Sequence, residues 1–418
     1  NFSPDWVWIK IRTQAYNHVL WDTLRGATIR LQANQTTADG TNTNGLTAFN
    51  SDGYDLGDMN NINKSGDSFV GWNWNAGDTD GKTYAVTVVS DSGNKYRFDG
   101  FGTSAVTLDL AEGGTYVFDW SDSSAQSHPI RFSTTSDGTH GGGSEYTTGV
   151  VKDDSAYKTT ITVAASAPTL YYYCQNHSGM GGQVNTNSTL GSSNFDGSRH
   201  VTTKANATAG FSIIKYRGTG STITIGHGLG VVPQAIIVKT RDSADHWAIY
   251  HHTLGNGKIA YLNLTNTPAS SSAYWNNTTP TSSVFTVGSD NKTNKSGDDY
   301  IAYCFSGVSQ FSKFGEFEGN GNNDGPFIFC GFSPALIIYK NVDSAQDYIM
   351  FDPKRIHSGE SLDYVEPNTA DAEGYLAVDI LSNGFKITHE TNTKLNGSGN
   401  TYIYFAWAES PFKNARAR

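Results

Sequence analysis

The chain has 418 residues, and at roughly 100 to 200 residues per domain that length predicts about two to four domains, each with a real core. Its 29 Lys and Arg against 39 Asp and Glu leave a net charge of −10, with charged residues at only 16%, against a usual share of about 25%. That balance excludes a basic, phosphate-gripping surface, and with it nucleic acid as a partner.

Aromatic residues reach 12%, beside 45 Gly and 11 Pro, a mixture that predicts an ordered, all-β protein with many turns and polar loops. No apolar run approaches the roughly 18 residues of a membrane helix, so no membrane insertion is expected. Asn1 to Lys10 lacks the basic and apolar stretches of a signal peptide. Three cysteines, Cys174, Cys304 and Cys330, cannot make a disulfide framework, and Cys304 and Cys330 read as separate buried thiols.

In chain order, the first predicted strand follows Pro4 and runs to Lys10. The same pattern returns after Pro233, to Lys239, and after Pro334, to Lys340. Ala15, Ala244 and Ala345 keep the same spacing, as do the aromatics Trp21, Tyr250 and Phe351. A second shared feature ends each unit. Asn63-Lys64-Ser65-Gly66-Asp67 recurs as Asn294-Lys295-Ser296-Gly297-Asp298, and loosely as Asn396-Gly397-Ser398-Gly399-Asn400. Each run leads into an aromatic strand, Phe69 to Trp74, Tyr300 to Phe305 and Tyr402 to Trp407, through a glycine free to take positive φ.

The later units open with an extra strand and a glycine turn, Phe211-Ser212 leading to Gly218 and Phe311-Ser312 leading to Gly319. The first unit shows no such opening, so the chain is expected to begin inside a unit. The step from the first unit to the second also exceeds the next step, and the excess reads as an inserted domain with its own strands. These are Tyr84 to Val89, Thr115 to Trp120, Ile130 to Ser133, Thr159 to Val163 and Leu170 to Cys174. The expected organisation is β-repeat 1 at 1–78, an inserted β-sandwich at 79–184, a Ser/Thr/Asn/Gly-rich linker at 185–209, β-repeat 2 at 210–310, and β-repeat 3 with a C-terminal tail at 311–418.

The insert carries the chemistry. Its last strand ends in Cys174-Gln175-Asn176-His177-Ser178-Gly179-Met180, and His128 opens an earlier strand. Two imidazoles, a thiolate and a thioether are the donor set of a blue-copper site, and soft sulfur selects copper. The same run also fits a plain β-sandwich in which Cys174 is a buried thiol. His251 and His252, neighbours in a strand, point to opposite faces, and they read as surface polar positions together with the matching Asp22 and Asp352. His227 reads as a turn residue. Asp22, Asp52, Asp352 and Glu360 read as solvated carboxylates. With no nucleophile elbow, phosphate loop or helical zinc motif in the sequence, no enzyme is expected.

Two resemblances sharpen this reading. The run Tyr171-Tyr172-Tyr173-Cys174-Gln175-Asn176-His177-Ser178-Gly179-Met180, with Ser127-His128-Pro129 and the strand from Gly113 to Trp120, resembles the cupredoxins of the short-loop type seen in amicyanin. That likeness implies a Greek-key β-sandwich and a type 1 copper site with ligands His128, Cys174, His177 and, as weak axial ligand, Met180. Outside the insert, Asn1 to Lys10, Thr208 to Ile214, Tyr274-Trp275-Asn276-Asn277 and Ala408 to Arg418 resemble a domain of virion structural proteins of marine tailed phages, of tail or fibre type. That likeness implies a structural protein on the virion surface, a homo-oligomer with a trimer favoured, assembled with other virion proteins.

Exposed aromatics set among amides suit a sugar, through ring stacking and hydroxyl bonding. Tyr274, Trp275 and Asn276 are the expected contact for a host surface glycan. The leading functional reading is a phage virion structural protein. The alternatives are a copper-binding electron-transfer protein built on the insert, and a bacterial surface adhesin or glycan-binding module.

Overall fold

The computed structural model describes residues 2–77, 81–186, 190–356, 361–388 and 391–409. The fold is all-β, as expected. Asn1, Glu360 and the tail from residue 410 onward lie outside the described residues.

Unit 1 contains β1 (Trp6–Ile11), β2 (Val19–Asp22), β3 (Ile29–Gln32), β4 (Gly40–Thr41), β5 (Leu46–Asn50), β6 (Gly53–Leu56) and β7 (Phe69–Trp74). The insert contains β8 (Gly81–Ser90), β9 (Asn94–Phe98), β10 (Leu108–Asp109), β11 (Thr115–Asp119), β12 (Ile130–Ser133), β13 (Val150–Asp153), β14 (Lys158–Thr162), β15 (Leu170–Cys174) and β16 (Gly182–Asn185). Unit 2 follows with β17 (Ser192–Asn194), β18 (Val201–Asn206), β19 (Phe211–Arg217), β20 (Ile223–Gly226), β21 (Ala235–Thr240), β22 (Ala248–His251), β23 (Lys258–Tyr261), β24 (Ala269–Ser270), β25 (Val284–Val287) and β26 (Asp299–Phe305). Unit 3 has β27 (Ser312–Glu318), β28 (Asp324–Phe329), β29 (Leu336–Asn341), β30 (Ile349–Ile356), β31 (Ser361–Val365), β32 (Gly374–Leu381), β33 (Gly384–Thr388) and β34 (Thr401–Trp407). Among the described residues no helix is long and apolar enough to cross a membrane.

The repeat seen in sequence is a repeat of register. β1 lies between β2 and β7, β21 between β22 and β26, and β29 between β30 and β34, all antiparallel. The glycine before each closing strand takes the expected positive φ, +83° at Gly66, +85° at Gly297 and +70° at Gly399. In unit 3 the edge strands β27 and β28 are consecutive in the chain, so that sheet curls into a nearly closed barrel.

Each central strand is buried on both faces, because alternate side chains serve two different cores. Trp6 and Trp8 point into a core shared by all three units, joined there by their counterparts Ala235 and Ile237, and Leu336 and Ile338. Val7 and Ile9 point instead into the core of unit 1 alone. The closing strands meet in the shared core, where Trp407 lies edge-on to both of its counterparts, Trp74 at 5.6 Å and Phe305 at 5.4 Å between ring centroids. Trp72, Trp74 and Trp247 are core residues.

One repeated polar position ties the units in a ring, and here the surface reading is overturned. Asp22, His251 and Asp352 are all buried. The Tyr303 hydroxyl donates to Asp22 Oδ2 at 2.7 Å, joining unit 1 to unit 2. His251 Nε2 lies 3.3 Å from the Tyr404 carbonyl, joining unit 2 to unit 3. Trp72 Nε1 donates to Asp352 Oδ2 at 3.2 Å, joining unit 3 back to unit 1. Beside them Arg25 and Arg355 neutralise Asp22 and Asp352 at 2.5 and 2.8 Å. The sequence pattern hides this, because a polar residue at a strand end looks solvated until a neighbouring unit covers it.

The insert is a sandwich of two sheets, β10-β16-β15-β12 against β13-β14-β11-β8-β9. Its own core is built on Tyr84, Phe98, Phe118, Phe132 and Tyr172. The parallel pairs β8–β11 and β10–β16 require the chain to cross between sheets.

The expected linker at 185–209 is largely structured. Within it β17 and β18 extend the sheet of unit 2 through β19, and Phe195 enters the core of the insert. The Tyr84 hydroxyl and Lys82 Nζ donate to the Ser193 carbonyl at 3.0 and 3.3 Å. Thr202 Oγ1 donates to Asp109 Oδ2 at 2.5 Å. A Ser- and Asn-rich strand reads as a loop in sequence because its stabilisation comes from a partner sheet rather than from its own side chains.

Candidate metal centre

The pairing of β12 with β15 sets Ile130 opposite Cys174. His128, two residues before Ile130, therefore arrives beside the thiol at the same end of the sheet. Beyond Cys174 the chain turns back to β16 in seven residues. Gly179 takes φ +72°, and a Cβ at Gly181 would stand 1.7 Å from the Tyr172 carbonyl oxygen. Only glycine permits so tight a return.

The turn delivers His177 to the same point. Nδ1 of His128 and Nδ1 of His177 each lie 3.6 Å from Cys174 Sγ, and the three donor atoms fall within 4.8 Å of one another. Cys174, His128 and Met180 are buried, whereas His177 is exposed.

The loops are held by bonds that do not involve the donor atoms. The Tyr96 hydroxyl donates to the His128 carbonyl at 2.7 Å, and Asn176 Nδ2 donates to the Ser127 carbonyl at 3.0 Å, joining the two ligand segments. The Gln175 amide donates to the Pro129 carbonyl at 2.9 Å. The Gly179 amide donates to Asp137 Oδ1 at 2.8 Å, and Lys95 Nζ caps the Gly179 carbonyl. His140 Nε2 lies 3.1 Å from the Cys174 carbonyl. Burial, and then the neighbouring His177, lower the His128 pKa from its usual value, favouring the neutral ring that can donate a lone pair.

The donor set fits a metal ion. A thiolate about 2.3 Å and an imidazole about 2.0 Å from one first-row ion, at a near-tetrahedral angle, stand about 3.6 Å apart. That is the spacing found here for both histidines. Of the four expected ligands, the structure brings His128, Cys174 and His177 together and places Met180 in the buried return of the same loop. Tyr96, Lys95 and Asp137 escaped the sequence reading because supporting bonds to backbone carry no spacing signal.

The expected glycan contact does not form a surface. Tyr274 and Trp275 are buried in the core of unit 2. The Tyr274 hydroxyl pairs with that of Tyr261 at 2.7 Å, and Trp275 packs edge-on against Tyr250. Only Asn276 is exposed, as the left-handed cap of a one-turn helix, Ser272–Trp275. The polar letters around the pair describe the turn, while the rings point inward. Cys304 and Cys330 are separate buried thiols, as expected, and His227 lies buried in its glycine bend with Nε2 3.1 Å from the Thr281 carbonyl.

The fold and site together define an all-β protein of three repeated units with an inserted sandwich carrying a clustered His–Cys–His donor set. The chain belongs to the family described as Domain of unknown function (DUF7483), which it matches over residues 1–134 and 184–411. Cys174, His177 and Met180 fall in the unmatched stretch between those segments, and His128 falls inside the first. No curated protein and no solved structure matches the chain.

Proposed function

We propose that the inserted sandwich is a copper-binding module carried on a rigid structural body. The observation that carries this is the placement of both histidine Nδ1 atoms 3.6 Å from Cys174 Sγ. Held as a thiolate-bound type 1 centre, copper would supply one-electron redox chemistry. The exposed His177 is the edge of the site nearest solvent, while the clamps on Gly179, Gln175 and Asn176 fix ligand geometry before any ion arrives.

Titration with Cu(II) tests this reading. The expected result is one equivalent bound with an intense visible charge-transfer band that Cys174→Ser abolishes. A chain that takes up no copper, or whose spectrum is indifferent to Cys174→Ser, refutes it.

A second reading concerns the body. We propose that it serves as a structural part of a phage particle, of tail or fibre type, on the virion surface. The shared core of three equivalent units supports this reading, since such a body spreads stability over several cores, and so does the resemblance of its sequence to tailed-phage virion proteins. Immunogold labelling of purified particles with antibody to the three-unit body tests it, and absence of label from intact and opened particles would count against it. An adhesin reading loses its chosen contact, because Tyr274 and Trp275 are buried.

A further inference from the structure

The insert and unit 2 together line a groove of about 440 Å³, within the about 300–1,000 Å³ of small-molecule sites, which favour junctions of this kind. One side is the face of β18 and β19 turned to the insert. Thr202 stands opposite Lys215 in register, and by alternation His200 and Arg217 continue that face. Asp299 of β26 lies opposite Arg217. The other side comes from the insert, with Phe101, Thr103, Thr107, Asp109 and Asn185.

Both sides are fixed by bonds within the chain. Thr202 Oγ1 and Asn185 Nδ2 donate to the two carboxylate oxygens of Asp109 at 2.5 and 2.7 Å. His200 is stacked on the Phe195 ring at 4.8 Å between centroids, with Nε2 2.9 Å from Ser193 Oγ. Burial lowers the His200 pKa to about 4 against the opposing pull of Asp109, so the ring adds no charge to the groove at neutral pH.

The remaining charges are unevenly matched. Arg217 pairs with Asp299 at 3.3 Å. Arg199 and Lys215 also line the groove and are half-buried, and neither has an ion pair or a side-chain hydrogen bond among the described residues. In a chain of net charge −10, two uncompensated cations beside one polar groove are a ready seat for an anionic group.

We propose that this groove binds a sugar acid, a hydroxylated ring bearing one carboxylate, with the carboxylate held by Arg199 and Lys215 and the hydroxyls bonded by Asp109, Thr103 and Thr107. The planar guanidinium fork of Arg199 suits a carboxylate. Each Asp109 oxygen has a second lone pair for a hydroxyl donor, and the exposed threonines can donate or accept. Phe101, half-buried, offers a ring to the apolar face of a sugar. A phosphate dianion fits less well, because Asp109 and Asp299 line the same groove and repel its second charge. None of these residues belongs to the metal centre, so the groove can be tested without copper.

Isothermal titration of the 418-residue chain at low salt with glucuronate, glucose and inorganic phosphate tests this. Glucuronate should bind at one site, with glucose and phosphate each at least about tenfold weaker. Arg199→Gln and Lys215→Met should each weaken glucuronate about tenfold while keeping the parent's thermal midpoint, since each removes one charged hydrogen bond to the ligand. Lys158→Met, which removes an exposed charge outside the groove, should leave the affinity unchanged. The proposal is overturned if glucuronate does not bind or binds no tighter than glucose. Phosphate binding as tightly would reduce the groove to a general anion site and overturn the sugar acid. Equal weakening by Lys158→Met, or none by Arg199→Gln and Lys215→Met, would place the binding elsewhere.

Discussion

In the three-unit body, buried ionic side chains reach into backbone carbonyls and across to neighbouring units, whereas at the end of the insert three titratable side chains face one another. Lys10 Nζ donates to the carbonyls of Ile11 and Gln14 at 2.7 and 3.2 Å. Its counterpart Lys239 does the same with Thr240 and Ser243 at 2.8 and 3.3 Å. Asp22 is closed off by Arg25 and Tyr303. Such groups have their bonding capacity filled by the fold itself. His128, Cys174 and His177 instead aim their donor atoms at one point, and the bonds that fix them are made by their backbone and by neighbours. Burial of a polar group is therefore not what marks a site. What sets this cluster apart is that its donor atoms are gathered on one another, at distances that a shared ion would also span.

The largest expected effect tests the structural half of that contrast. Asp22→Ala leaves the Arg25 guanidinium, fully buried at its side chain, with only the more distant Asp39 at 3.3 Å as counter-charge, and since removing one member of a buried pair costs about 3–5 kcal/mol, the loss should approach the lower end of that range. Asp352→Ala should behave alike, since Arg355 is nearly as buried. Cys174→Ser, with no fixed charge stranded, should cost about 1 kcal/mol or less in the metal-free chain. Urea unfolding of the three variants gives the comparison directly, and equal losses from Asp22→Ala and Cys174→Ser would erase it.

Next in size is the response to metal. An ion that binds only the folded insert stabilises it by about 2.7 kcal/mol at a free concentration a hundred times its dissociation constant. Unfolding followed at the insert should shift by that amount with copper and stay put in Cys174→Ser. Asp22→Ala should keep the full copper response despite its lower baseline, because the body and the insert have separate cores. If Asp22→Ala abolished copper binding, the two regions would not be separable as argued.

Much of this architecture was legible in the sequence where a physical constraint repeats. Pro4, Pro233 and Pro334 announce three central strands, and strands bounded at Phe69–Trp74, Ile130–Ser133 and Leu170–Cys174 form over those residues. The donor set was legible too, because Cys174, His177 and Met180 sit on one short loop whose spacing is set by the turn. What sequence could not carry was the third dimension of the repeat. Asp22, His251 and Asp352 look solvated in a strand-end context and become buried only when three sheets share one core. Tyr274 and Trp275 look exposed among amides, yet the one-turn helix from Ser272 turns both rings inward. Ser192–Asn194 looks like tether because the bonds that fix it reach to β18 and to the insert, at Tyr84, Asp109 and Tyr116.

The smallest predicted effect is a pH dependence written into the repeat. Lys10, Lys239 and Lys340 occupy one position, and burial lowers each from 10.5 to about 8. Unfolded, each would titrate near 10.4, so between about pH 8 and 10 the unfolded chain holds more protons and stability rises with pH. Cys304 and Cys330 act in the opposite sense. Burial raises both thiols, Cys330 to about 12, so they stay protonated in the fold while unfolded thiols ionise near 8.5, and their contribution fades as pH rises. The net slope therefore mixes two signs, and the difference between the parent chain and Lys10→Met separates them, because the thiols cancel. From pH 8 to pH 9 the parent should gain about 1 kcal/mol more than Lys10→Met, and Lys239→Met and Lys340→Met should each show the same deficit. Parallel stability curves for parent and variant over that interval would mean that the lysine is charged in both states, and that its bonds to the loop carbonyls fully offset the cost of burying it.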